Sequence, residues 1–430
     1  IILMTLSLIM NIFSKLYHNI LNINPLSPSY IYIVFWIGGV LFPYYITSDI
    51  DPFFLYWPYN FSDGFNTNIN FAFIIYTISL LTFISANNLL TKKFTTSNTK
   101  SKYYFSKKRA YIFTFISIAA YISLIEIKGG FLSFLTLVSD RTRAFAGMNV
   151  FFMLGGLVQS VIIAYYLNIT ENDRVYKKNK YKFIMYLMLV ISLIMLSGSK
   201  STIFILLISL ITIYNYKVSK ISLFKLISYL VIIFILLIAY HLLKQEYFSA
   251  GELYSIGASN PIESFYLVLL NMFQGNMMQL QTMSIVVDQY PNTYGYLWGS
   301  SILFFFSLII PSVLWSEKPL TIPGIFTVNN WPYRWSDEGT TLPPGLFAEG
   351  YMNFGLFGVI IFSLILSFVY SFYYKKVKTC PFDKLSLGIY SILVGEFLHF
   401  FRGEFASVLL HTLVLVIPLK LILKKKRYRE

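Results

Sequence analysis

Long apolar runs alternate with short polar segments along most of the chain. A helix needs about 20 mostly apolar residues to cross the hydrocarbon core of a bilayer. Ten stretches meet this requirement: 29–46, 70–90, 109–127, 149–167, 181–197, 201–216, 222–243, 352–374, 385–401 and 404–423. Two further regions, 1–13 and 300–315, are apolar but short, which is typical of surface helices or additional spans. The pattern predicts an all-α polytopic membrane protein with about 10–12 transmembrane helices.

One long segment between the predicted spans is rich in proline, glycine and aromatic residues. We divide the chain accordingly into an N-terminal transmembrane bundle (1–243), a large external loop (244–351) and C-terminal transmembrane helices with a basic tail (352–430). The loop is predicted to contain short helices lying on the membrane without crossing it. Long structured loops usually carry function, so chemistry is expected there.

The positive charges follow the same alternation. Of the 34 Lys and Arg residues, 26 fall in every second connecting segment, at the adjoining ends of the predicted spans and in the two termini, and eight lie on the other side. Cytoplasmic loops carry such an excess, which predicts that both termini are cytoplasmic and that 244–351 is external. The basic residues responsible for the net charge of +15 then lie next to anionic membrane lipids. Nucleic acid is therefore not expected as a partner.

Composition supports this interpretation. The chain is 56% hydrophobic and 12% charged, outside the usual range of soluble domains. Its single cysteine, Cys380, excludes an intramolecular disulfide and a cysteine-based metal site. No removable signal peptide is predicted at the N-terminus.

Basic residues on the external side oppose the topogenic bias and need a local reason. Five stand out: Arg141, Arg143, Lys200, Arg334 and Arg402. Arginine presents a planar fork suited to phosphate, and lysine presents a compact charge, so the set predicts a site for the diphosphate of a membrane-anchored lipid. The alternative is that each side chain reaches the interface or pairs with an acidic residue or a headgroup.

Aromatic and acidic residues add to this picture. Trp331 and Trp335 lie in the middle of the long loop and are interpreted as a carbohydrate platform, whereas an interfacial belt explains Trp57 and Trp298. Glu349 precedes a predicted span, where burial would suit a general base. The alternative for Glu349 is a charge favoured by the helix dipole at a helix start.

Two further groups bear on metal binding. Glu396 and His399 share one helix face and are interpreted as a hydrogen-bonded patch supporting Arg402, because a single Glu-x-x-His lacks the second copy that a di-iron site needs. The other histidines, at 18, 241 and 411, are scattered in the sequence and predict no metal site. Asp49 and Asp51 have a spacing that ligates divalent metals, or they form a solvated turn.

These features together resemble the O-antigen polymerase family, the Wzy-type oligosaccharide repeat-unit polymerases. The motifs are Asn24-Pro25, Arg141-Thr142-Arg143, Ser197-Gly198-Ser199-Lys200-Ser201, Pro311 with Trp315-Ser316-Glu317-Lys318-Pro319, Glu349-Gly350-Tyr351-Met352-Asn353-Phe354-Gly355 and Phe401-Arg402-Gly403-Glu404. The resemblance implies a glycosyltransferase on the outer face of the bacterial cytoplasmic membrane. It would transfer a growing glycan from undecaprenyl diphosphate to a hydroxyl of another lipid-linked repeat unit, without cofactor or metal. A chain-length regulator is a candidate partner.

The resemblance also suggests roles for individual residues. Breaking the sugar–phosphate bond builds negative charge, which preplaced cations stabilise. The implied catalytic residues are Arg141, Arg143, Lys200, Arg334, Arg402 and, as the base, Glu349; the implied substrate-binding residues are Trp331, Trp335, Tyr351 and Asn353. The alternatives are an O-antigen ligase, a flippase or other transporter, and a metal-dependent sugar transferase using the two aspartates.

Overall fold

The computed structural model describes residues 24–46, 57–62, 64–91, 103–138, 144–145, 147–248, 278–310, 315, 317–337, 339–380 and 382–425. Helices account for nearly all of the regular structure in these ranges. They are α1 (Pro28–Trp36), continued by a π-helical segment (Ile37–Leu41), α2 (Phe42–Ile46), α3 (Phe65–Thr91), α4 (Lys107–Ile127), α5 (Phe131–Leu137), α6 (Asn149–Ile169), α7 (Asp173–Met195), α8 (Lys200–Lys217), α9 (Leu223–Phe248), α10 (Gln279–Gln289), α11 (Ser300–Ile309), α12 (Ile322–Asn330), α13 (Pro332–Ser336), α14 (Leu346–Thr379), α15 (Lys384–Arg402) and α16 (Phe405–Ile422). Two short strands, β1 (Tyr103–Phe105) and β2 (Leu423–Lys425), pair with each other.

Six of the described helices are long and apolar enough to cross a membrane: α3, α4, α6, α14, α15 and α16. The predicted class, an all-α polytopic membrane protein, is confirmed. Each of the other four predicted spans also coincides with helical structure, in α1 to α2, α7, α8 and α9. The count of about 10–12 crossing helices stays a prediction.

The core is made by helices that pack along their length. α14 lies against α3, α15 against α8, and α16 and α4 against α6. Close approach depends on small residues, as is usual between membrane helices. A Cβ added at Gly395 of α15 would lie 2.6 Å from the carbonyl oxygen of Ile205 in α8. A larger residue at 395 would therefore push these two helices apart.

A row of buried hydroxyls and one amide joins α3 to α14, and we call it the serine seam. Ser363 donates to Ser79 Oγ at 3.0 Å, and Ser367 donates to the Phe83 carbonyl at 2.9 Å. Ser371 donates to Asn87 Oδ1 at 2.6 Å. The contacts recur every four residues on both helices, so one face of each helix supplies all of them. Polar groups in an apolar interior need such partners, and here each pair links two helices.

Segments predicted to be cytoplasmic meet at one end of the bundle. β1 and β2 form an antiparallel pair, and Arg109 donates to the Leu421 carbonyl at 2.6 Å. The buried ammonium of Lys384 lies 2.6 Å from Glu171 Oε2. These contacts join the segment before α4, the turn after α6, the start of α15 and the end of α16. All four are predicted to be cytoplasmic, so the contacts agree with the predicted topology.

The described part of 244–351 contains short helices, as predicted. α11 has ten residues, too few to cross a bilayer, and exposes Leu303 and Phe306 on one side. α14 begins at Leu346, earlier than the predicted 352, because hydropathy marks the apolar part of a helix and not its end. Non-helical backbone at Phe354 and Gly355 bends α14 below its first turns.

Asp288 of α10 binds the first segment that is predicted to be external, residues 57–62, and the start of α3. It accepts hydrogen bonds from Tyr59 Oη at 2.7 Å, Ser62 Oγ at 2.7 Å and Asn68 Nδ2 at 2.9 Å. Burial alone would raise the pKa of Asp288, but these hydrogen bonds outweigh it and lower the pKa from its usual value. The ionised carboxylate thus holds residues 57–62 against the helices.

Candidate functional site

A cavity of about 530 Å³ opens between the ends of α6, α8, α15 and α16. Its walls include Asn149, Ser197, Thr341, Arg402 and Glu404. These residues come from four turns or loops that are far apart in the sequence. All of them are predicted to lie on the external side, so the cavity lies where predicted external connections come together. Arg402, one of the predicted catalytic residues, lies in its wall.

The turn that carries Arg402 is held from both sides. Arg402 ends α15, and Glu404 precedes the first residue of α16. The buried Glu404 carboxylate accepts a hydrogen bond from the Ser407 hydroxyl and another, at 2.9 Å, from the backbone N–H of Ile322. Burial raises the pKa of Glu404 above its usual value. The two bonds tie α12 to the turn and fix the backbone on which Arg402 sits.

A buried carboxylate and two histidines lie beside Arg402. Glu396 is 0% exposed, and its two oxygens are 3.0 Å from His399 Nδ1 and 2.5 Å from His411 Nδ1. Both histidines line the cavity. The interpretation of His411 as scattered is wrong, because packing of α16 on α15 brings it to Glu396. The patch formed by Glu396 and His399 is therefore larger than the sequence indicates.

This Glu396 cluster also has the donor set of a metal site. One ligand atom from each of Glu396, His399 and His411 lies within 4.8 Å of the others, and two imidazoles with one carboxylate suit a divalent transition metal. Hydrogen bonding accounts for the same geometry, because each carboxylate oxygen accepts from one imidazole. An ionised carboxylate only accepts, so each Nδ1 then carries the proton.

Gln159 of α6 contributes a polar group to the cavity wall. Its side chain is 1% exposed, and neither its oxygen nor its nitrogen has a hydrogen-bond partner within the described protein. A buried amide with both groups unsatisfied is costly, and an unsatisfied group in a native structure calls for an explanation. A polar ligand in the cavity would supply the partners.

Lys200 begins α8, next to the cavity. Ser197 and Thr202, on either side of it, line the cavity wall. Within this turn Thr202 donates to Ser199 Oγ at 2.8 Å, and the hydroxyls of Ser199 and Ser201 are 3.1 Å apart. The turn before α8 is thus internally hydrogen-bonded, and Lys200 lies in the sequence between two residues of the cavity wall.

Arg334 and Trp331 form a separate group of aromatic contacts. The Arg334 guanidinium stacks 4.2 Å above the Trp57 ring, and Trp331 packs edge-on against Trp57 with 4.8 Å between centroids. Trp331 is 1% exposed and donates its Nε1–H to the Pro58 carbonyl at 2.7 Å. A ring so enclosed offers no face to a sugar, whereas Trp335 is 39% exposed. The predicted platform is therefore divided between a core tryptophan and a surface one.

Glu349 is fully buried and belongs to a polar network. It accepts from Ser301 Oγ at 2.6 Å and from the backbone N–H of Phe405 at 2.6 Å. Asn353, one turn later, donates to Ser301 Oγ and accepts from the backbone N–H of Gly299 at 2.8 Å. The network joins the starts of α11, α14 and α16. Both carboxylate oxygens of Glu349 are therefore engaged by the protein.

The remaining predicted site residues differ in where they lie. Tyr351 is buried in the first turns of α14. Arg141, Arg143, Asp49 and Asp51 lie outside the described residues. Of the cavity residues, the prediction missed Gln159 and His411. A glutamine inside an otherwise apolar span was the available signal for the first, because polar residues within membranes commonly mark function.

Comparison with known proteins identifies the family. A family model described as O-antigen polysaccharide polymerase Wzy matches residues 1–428, almost the whole chain. No curated protein and no solved structure matches it. The match covers the helices, the loop and the cavity, and it agrees with the resemblance suggested by the motifs. The chain belongs to the O-antigen polysaccharide polymerase Wzy family.

Proposed function

We propose that this protein polymerises glycan repeat units carried on undecaprenyl diphosphate, at the outer face of the bacterial cytoplasmic membrane. The proposal is supported by the cavity at which turns predicted to be external meet. Arg402 and His399 line it, together with Gln159, whose amide has no hydrogen-bond partner among the described residues. Its position at the helix ends suits a substrate with a lipid tail in the bilayer and a polar head outside. Family membership supports the polymerase activity in general.

The chemistry requires positive charge at the leaving group. The acceptor hydroxyl attacks the anomeric carbon of the donor, the bond from that carbon to the diphosphate oxygen breaks, and the electron pair leaves with the lipid diphosphate. Arg402 would stabilise this charge from within the cavity and Lys200 from its edge. Arg141 and Arg143 are proposed to contribute from the segment before α6.

Other predicted residues fit supporting roles. Glu349 and Asn353 would position the starts of α11 and α16 through the bonds described above. Arg334 would hold residue 57 of the first external segment against the loop, and Trp335 offers an exposed ring for a sugar. The loop 244–351 is proposed as the external domain to which lipid-linked glycans and a chain-length regulator bind.

A deletion strain tests polymerisation against ligation. If the chain is a polymerase, the strain makes single repeat units that are still attached to their final acceptor, and the wild-type gene restores the ladder of long glycans. If no repeat unit is attached at all, the protein is a ligase. Undiminished long glycan in the deletion strain would exclude both.

Cysteine labelling tests the orientation. The native Cys380 lies in a predicted cytoplasmic loop and is an internal reference. A membrane-impermeant maleimide added to intact spheroplasts should leave wild-type Cys380 unlabelled and should label a Cys380→Ala chain carrying Lys200→Cys or Trp335→Cys. Labelling of Cys380 without permeabilisation would reverse the proposed orientation.

A further inference from the structure

We infer that His399, oriented by Glu396, takes the proton from the acceptor hydroxyl during glycan transfer; this inference rests on the proposed function. The sequence pointed to Glu349 as the base. In the fold the Glu349 carboxylate is enclosed, with Ser301 and the Phe405 N–H on its two oxygens. His399 instead lines the cavity, one helical turn from Arg402.

The orientation of His399 is set by a buried carboxylate that is bonded through both of its oxygens. Glu396 is 0% exposed and lies between two imidazoles, His399 at 3.0 Å and His411 at 2.5 Å. The two rings meet edge to face, with centroids 5.4 Å apart. Since one carboxylate oxygen serves each ring, His411 helps to hold Glu396 in place for His399.

The carboxylate also selects the tautomer of His399. With the proton on Nδ1 directed at Glu396, the neutral ring has an unprotonated Nε2 that accepts a hydrogen bond. A carboxylate that orients an imidazole in this way is the arrangement by which histidine serves as a general base. Glu396 does not need to be protonated in the reaction, because it stabilises the imidazolium that forms.

The neighbouring residues complete the step. His399 and Arg402 are three residues apart on α15, so both side chains can address one bound substrate pair. The acceptor O–H proton passes to His399 Nε2, the oxygen bonds to the anomeric carbon, and the diphosphate leaves with its electron pair toward Arg402. The imidazolium then returns the proton to solvent or to the departing diphosphate.

Polymerisation by the purified full-length chain in liposomes, with lipid-linked repeat units as substrate, tests the inference. His399→Ala should lower kcat by about 10²–10⁴-fold, the usual contribution of a general base, with a smaller change in KM. Added imidazole should restore part of the activity, because it can occupy the space that the ring leaves. Arg402→Ala is the matched control, since it damages the same cavity and imidazole should not rescue it.

Glu396→Gln tests the positioning role. It preserves shape but can present an N–H to His399 Nδ1, which selects the wrong tautomer, so kcat should fall while the protein stays folded and still binds the lipid-linked donor. His411→Ala should lower activity less than His399→Ala. If either variant fails to fold, rescue of His399→Ala by imidazole decides alone.

Full activity of His399→Ala, or a loss that imidazole does not reverse, would overturn the inference while leaving the polymerase assignment intact. Loss of wild-type activity on chelation, restored by zinc, would also overturn it, because the cluster would then be a metal site. Absence of polymer from the wild-type chain would instead contradict the proposed function.

Discussion

Two groups of buried polar residues lie in the same helical bundle and are built in opposite ways. In the serine seam the hydroxyls of Ser363, Ser367 and Ser371 all reach acceptors on α3. In the cavity neither amide group of Gln159 has a hydrogen-bond partner among the described residues, and His399 contacts Glu396 through Nδ1. The difference shows what each group is suited for. Satisfied polar groups fix helices together, whereas unsatisfied ones leave bonds for a ligand to complete.

The largest effect is expected when the cation in the cavity is removed. Arg402→Ala should lower polymerisation by about 10²–10³-fold, because a preorganised donor that stabilises transition-state charge is lost. The readout is glycan length in a complemented deletion strain, normalised to the amount of protein in the membrane. Lys128→Ala is the control, since this predicted external cation lies over the Phe145 ring and outside the cavity wall. Equal loss in both variants would contradict the assignment.

Asn87→Leu should lower the stability of the protein and leave its activity unchanged. Asn87 accepts from Ser371 and donates to Ser29 Oγ at 2.6 Å, so the change leaves one buried and one half-buried hydroxyl without these partners. We expect a loss of about 1–2 kcal/mol in the free energy of unfolding, with activity per folded molecule unchanged. Thermal unfolding in detergent and the liposome assay measure the two quantities. A specific loss of turnover at full stability would make the seam part of the site.

Gln159→Leu should behave differently from Asn87→Leu. A leucine of similar size removes two unsatisfied groups, so stability should stay constant or rise. Activity should fall by roughly tenfold, mainly through KM, because the amide no longer meets the substrate; tenfold corresponds to about 1.4 kcal/mol. Destabilisation with unchanged KM would show that Gln159 is a structural residue like those of the seam.

The smallest effect is expected from Glu404→Gln. Because burial raises the pKa of Glu404 above its ordinary 4.5, the folded protein keeps a proton over a pH range in which the unfolded chain has released it. Wild-type stability therefore falls as pH rises through that range, and the variant lacks this decline. The Tm of the variant minus the Tm of the wild type should therefore increase by roughly 1–2 °C between pH 4.5 and 7. A difference in Tm that does not change with pH would contradict the raised pKa of Glu404.

The fold was largely predictable because hydropathy and charge bias are local properties. Each predicted span is helical, and the turns bearing Lys200 and Arg402 do meet at one cavity. The contact between His411 and Glu396 was not predictable, since it depends on how α16 packs on α15, and residues 15 apart carry no periodic signal. Trp331 illustrates the same limit, because sequence gives the number of aromatic rings but not which ring faces are covered.

The pairing of β1 with β2 affects how the topology can be mapped. Reporter enzymes are often fused to progressively shortened chains, and a fusion that ends within α16 would remove residues 423–425 and leave Tyr103–Phe105 without its partner strand. Such a truncation alters the molecule whose orientation it is meant to report. Tags are better joined after Lys425, or inserted in full-length chains, because β1 and β2 then remain paired.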